Sequence, residues 1–98
     1  MMAINIHAGS MVKRTKNILF SHLDDELLAI DGEAGYCYSL NESAARAWEL
    51  ISAPMSVKVV CAQLCREYSV DKGTCEREVI ELFQHLCEAG LVSIDNAA

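Results

Sequence analysis

The sequence has 98 residues, 52% of them apolar, and eight basic residues against fourteen acidic ones leave a formal charge of −6. That length suits one domain with one hydrophobic core, the acidic balance repels phosphate backbones and anionic bilayers at long range, and no apolar run approaches the ~18 residues of a membrane span. Nucleic acid and membrane are excluded as natural partners, and so large an apolar fraction in so short a chain predicts apolar surface to spare.

The opening MMAINIHAGSM lacks the charged start and the continuous apolar segment of an export signal. Residues 1–15 are predicted to be a disordered tail and residues 16–94 the folded domain. With no export signal, the cytoplasm is the expected compartment, and the five cysteines, Cys37, Cys61, Cys65, Cys75 and Cys87, are expected to stay reduced.

NILFSHL (17–23) sets Ile18 and Phe20 on one face and Ser21 on the other, the period of two of a half-buried strand. DDE makes a turn, LLAID (27–31) a second strand, GEAG a loop, and YCYSL (36–40) a third strand. Three short consecutive strands predict an antiparallel meander. The third runs into a helix start at Asn41 with no loop between them.

From Asn41 the period becomes helical, with Ala44, Ala47, Trp48 and Ile51 on one face and Asn41 as the N-cap, until Pro54 stops it. Ser56 caps a second predicted helix with Val57, Val60, Cys61, Leu64 and Tyr68 along its apolar stripe. Asp71 caps a third, which ends at Gly90, and LVSI closes the domain. The predicted fold class is α+β, winged helix-turn-helix-like: a three-stranded antiparallel sheet followed by three helices.

In the third helix Cys75, Val79, Ile80, Leu82, Phe83, Leu86 and Cys87 span an arc of roughly 160°, wider than the ~100° stripe that one core contact requires. Either the sheet and the other helices bury all of it, or part of it serves a second contact. The other face carries Arg77, Glu78, Glu81, Gln84, His85 and Glu88, the wrong sign for a recognition helix in a phosphate-lined groove.

Catalytic and metal chemistry find little footing. Cys61 and Cys65, four apart on a helix, offer two thiolates on one face but lack the C-x₂-C spacing of specific zinc motifs, and Cys61 falls on the core stripe. His7, His22 and His85 are scattered, Asp24 and Asp25 read as a turn, and no Gly-rich phosphate loop follows a strand. No enzyme acting alone, and no cofactor, is predicted.

The run LLAIDGEAGYCYSLNESAARAWELI, followed by VCAQLCREYSVDKGTCEREVIELFQHLCEAGLV, resembles the PqqD-like proteins in the order and spacing of its Leu-Asn strand end, its Ala/Trp helix and its Gly-Leu-Val finish. The resemblance implies a RiPP recognition element. Such a domain binds the leader of a ribosomally made precursor peptide and presents it, chaperone-like, to modifying enzymes in peptide natural product or PQQ-type cofactor biosynthesis. In that family the leader adds as an antiparallel strand beside the third strand, in a cleft closed by the third helix. Carried onto this sequence, the implied peptide-binding residues are Tyr36, Cys37, Tyr38, Ser39 and Leu40 on the strand and Cys75, Glu78, Val79 and Leu82 on the helix. SLNESAARAWELI and YSVDKGTCEREV make the chain more similar to the stand-alone proteins of lasso-peptide clusters than to the PQQ-pathway member. The implied partners are the precursor leader peptide and a modifying enzyme on another chain, such as a radical enzyme, a cyclase or a leader protease. Two other readings are an acidic winged-helix protein–protein module without a leader substrate and a small metal or redox protein using Cys61 and Cys65.

Overall fold

A computed structural model describes residues 5–16, 18–24, 26–32, 35 and 37–96. In chain order the elements are β1 (Met11–Arg14), β2 (Ile18–Leu23), β3 (Glu26–Asp31), β4 (Cys37–Leu40), α1 (Glu42–Leu50), β5 (Met55–Ser56), α2 (Val57–Glu67), α3 (Lys72–Glu88) and β6 (Val92–Asp95). The predicted meander is there as the antiparallel sheet β2-β3-β4, with Leu19 opposite Ile30 and Ala29 opposite Tyr38. Asp24 turns the β2–β3 hairpin at φ 55°, a left-handed conformation that a short polar side chain tolerates.

The expected tail of residues 1–15 is corrected. β1 is the middle strand of a second antiparallel sheet, β5-β1-β6, in which Val12 pairs with both Met55 and Ile94. Ile6, Ser10 and Val12 are buried, and the Ser10 hydroxyl bonds to the Asn96 side chain. The strand is short, and its partners lie far along the chain, at Met55–Ser56 and Val92–Asp95. Residues 1–4 are outside the described residues.

The helices begin where their caps foretell. Asn41 Oδ1 accepts from the Ala44 N–H at 3.0 Å, Ser56 Oγ from Val59 at 3.3 Å and Asp71 Oδ2 from Thr74 at 3.0 Å, each satisfying an otherwise free first-turn donor. α3 ends with Gly90 at φ 82°. There the Leu91 N–H reaches back to Leu86 O (2.8 Å) and the Gly90 N–H to Cys87 O (3.0 Å), a paired closure that needs a left-handed residue between.

Trp48, Phe83, Leu27, Ile51 and Leu91 are among the largest fully buried side chains, each contributing about 1.5–3 kcal/mol by leaving water. α3 turns Cys75, Val79, Phe83 and Leu86 into this core. The two sheets meet at Arg14, whose guanidinium lies 4.8 Å from the Phe20 ring centroid and 4.6 Å from that of Trp48 while donating to Trp48 O. No helix among the described residues is long and apolar enough to cross a membrane.

Candidate functional site

β4 passes into α1 through Asn41 alone, so the strand and the first helical turn form one rigid corner. Its side chains alternate as a half-buried strand requires: Leu40 is buried and Tyr38 half-buried toward the helices, while Cys37 and Ser39 are exposed. β4 pairs only with β3, which leaves its other edge without a strand among the described residues. Proteins usually blunt such an edge with charge or proline, and CYSL has neither.

Across from that edge stands α3. Tyr38, Ser39 and Leu40 line one wall of a cleft of about 370 Å³ whose other wall is Leu82, His85, Leu86 and Ala89. A second cleft, of about 330 Å³, continues between α1, the end of α2 and α3, lined by Ala44, Leu64, Tyr68, Cys75, Glu78 and Val79 among others. Asn41, Ala44 and Leu82 belong to both, so the two make one groove with Leu82 at its waist. Ala44 is what makes room, since a larger side chain on this face of α1 would fill the junction.

The floor is neutral. Cys75 is buried, its thiol pushed up to about 12 by desolvation and by its contacts with Cys65 and Cys61, and its Sγ donates to Cys61 O at 3.9 Å. Burial likewise pushes the Cys61 thiol up. Both are buried and fill the core as small apolar side chains. Among the described residues no three His, Cys, Asp or Glu side chains are disposed around a common metal position. The lip is polar: Glu78 and His85 are exposed, two turns apart on α3. Behind the groove the Arg46 guanidinium clasps Glu67 at 2.7 and 2.8 Å and holds that carboxyl down to about 2, tying α1 to α2.

The residues named from the sequence divide three ways. Tyr38, Ser39, Leu40, Cys75, Glu78, Val79 and Leu82 line the groove. Cys37 lies on the strand but its side chain is exposed on the other face, and Tyr36 is outside the described residues. Asn41, Ala44, Tyr68, His85, Leu86 and Ala89 are among the wall residues that were not named for this role. Of these, His85, Leu86 and Ala89 extend the helical face of Glu78 and Leu82 by two turns, a spacing visible in the sequence. Tyr68 reaches the groove only through the packing of α2 on α3.

The family model for coenzyme PQQ synthesis protein D (PqqD) matches residues 26–92, more than half of the chain. The chain belongs to the PqqD family. No curated protein matches it. Among solved structures it is similar to TbiB1 in complex with the TbiA(beta) leader peptide, at 26% identity over 88% of this chain and 98% of that one, with a TM-score of 0.76. It is also similar to lasso peptide synthetase B1 complexed with the leader peptide, at 26% identity over 84% and 96%, TM-score 0.75. The PqqD truncation of Methylobacterium extorquens PqqCD, a stand-alone RiPP recognition element, shares the fold at TM-score 0.81 over 95% and 99% of the two chains, with 12% identity. The matched PqqD segment begins at β3 and ends at the start of β6, so it contains every residue that lines the groove.

Proposed function

We propose that this PqqD-family chain is a non-catalytic adaptor that binds the leader of a ribosomally made precursor peptide and presents it to a modifying enzyme on another chain. The observation that carries this reading is the uncharged edge of β4, with no strand beyond it among the described residues, facing α3 across an apolar groove. The leader adds antiparallel to β4; main-chain hydrogen bonds supply affinity, and alternate side chains entering the two clefts supply selectivity. Tyr38, Leu40, Ala44, Val79 and Leu82 offer apolar contact, and Glu78 and His85 meet whatever polar side chains flank it. Two similar chains at 26% identity, each described in complex with a leader peptide, support the same reading and favour a lasso-type precursor. The burial of Cys61 and Cys75 in the core supports a binding rather than a catalytic role, and the partner that performs chemistry is a radical enzyme, cyclase or leader protease. The expected compartment is the cytoplasm, where precursor synthesis takes place.

The test is fluorescence anisotropy with a labelled leader peptide encoded beside this chain's gene, against proline variants of residues 37–39. Proline removes a backbone donor and is tolerated where that donor faces out of the sheet. At least one variant is expected to keep its circular dichroism spectrum and lose tenfold or more in affinity. If every folded variant binds as the parent does, strand addition at β4 is wrong.

A further inference from the structure

The opposite edge of the same sheet is also open. β2 reads ILFSHL, six residues with no formal charge and no proline, and among the described residues no strand lies on its far side. Leu19 is 66% exposed, Leu23 51% and Phe20 43%. Leu19 and Leu23 point to one face of the sheet and Phe20 to the other, where its ring meets Trp48 edge-on at 5.9 Å. A partner lying flat on one face would cover the leucines or the phenylalanine. A strand laid alongside β2 shields both faces at once.

We propose that this strand is β2 of a second copy, paired antiparallel about a two-fold axis through Ser21. In that register Leu19 faces Leu23 of the mate, Phe20 faces His22, Ser21 faces itself and Ile18 faces Asp24, so that the exposed leucines meet each other and no like charges oppose. The ends complement each other as well. Each strand starts two residues after Lys16 and finishes just before Asp24, both exposed, so the antiparallel arrangement brings the end of one copy that carries Lys16 near the acidic turn of the other, twice. Two chains of net charge −6 repel at long range, and an uncharged strand with Lys16 near one end and Asp24 and Asp25 at the other is a surface on which they can meet. The product is a six-stranded sheet with β4 at each outer end, leaving both grooves open. This inference stands apart from the proposed function, because β2 contributes no residue to the groove.

Sedimentation equilibrium of the full chain, from micromolar to near-millimolar concentration, tests it. A reversible monomer–dimer equilibrium is expected, and it strengthens with added salt as the repulsion is screened. Leu19→Lys and Leu23→Glu, both at exposed positions, are each expected to weaken the dimer at least tenfold. The double variant L19K/L23E sets opposite charges face to face in the two-fold register and is expected to recover most of the loss. Hydrogen exchange of the unaltered chain gives a reading free of substitutions: the β2 amides are expected to slow as concentration rises. A chain monomeric throughout, a dimer indifferent to both single substitutions, a double variant no stronger than the singles, or β2 exchange independent of concentration overturns the proposal.

Discussion

β4 and β2 are the two outer strands of one sheet, and they share the absence of charge and proline while differing in what stands beside them. β4 is four residues long and looks across a groove at α3, so a strand added there as proposed would meet a wall able to read its side chains. β2 is six residues long and its apolar side chains stand in solvent on both faces. The backbone of an exposed strand attracts any other strand, and selectivity comes from the pockets around it. The walled edge therefore suits a peptide chosen by its side chains, and the open edge suits a partner chosen by self-complementary register.

The most severe way to test that contrast is to remove what lies beneath both edges. Trp48 is fully buried and its ring braces Phe20 and Arg14. Trp48→Ala is expected to cost about 3–5 kcal/mol in denaturant unfolding, and to take leader binding and self-association down together. Loss of one with the other intact would show that the edges have separate supports. Next in size is the proline scan of β4, with an expected loss of at least ~1.4 kcal/mol in leader binding for one folded variant. Leu19→Lys on the other edge is expected to leave leader affinity within about twofold, as distant sites add independently.

Salt sharpens the contrast by sign. Raising ionic strength to ~0.5 M, where screening lengths are a few ångströms, is expected to change leader affinity only several-fold while strengthening the β2 dimer. A steep log–log loss of leader binding in anisotropy titrations would instead put charge pairing at the Glu78 lip in control. The smallest effect lies away from both edges. Arg46 holds the Glu67 carboxyl at about 2, against an ordinary 4.5. A depressed carboxylate contributes stability that is present above about pH 4.5 and lost as pH falls through about 2. Glu67→Gln is thus expected to flatten the acid limb of a stability–pH curve over that window, modestly because the pair is exposed, with both binding activities unchanged.

Local signals in the sequence foretold most of the frame. Asn41, Ser56 and Asp71 each cap a helix where side-chain chemistry alone put the start, and Gly90 ends α3 in the conformation only glycine adopts without strain. The alternation of Tyr38, Ser39 and Leu40 gave the burial of β4. The second sheet was invisible because β1 and β5 are short and owe their existence to partners distant in the chain. Phe20 was read on the same face as Ile18 and opposite Ser21, but its 43% exposure follows from β2 being an edge, which no periodicity records. Ala44 and Tyr68 were read only as helix-stripe positions, because each borders the groove only once three helices have packed.

One feature of the second sheet bears on how such a domain is carried. β1 and β6 lie antiparallel, with Met11 opposite Asp95, and the Asn96 amide donates to Asn5 O at 2.6 Å. Position 5 and position 96 therefore meet at one corner, in the sheet that shares no strand with the groove. A host polypeptide grafted at either point, or at both, would hold the domain as a hand holds a tool by its handle, leaving the working end clear. The tether would then raise the local concentration of a captured peptide around the host's own catalytic centre, trading intrinsic affinity for proximity without any change to the groove.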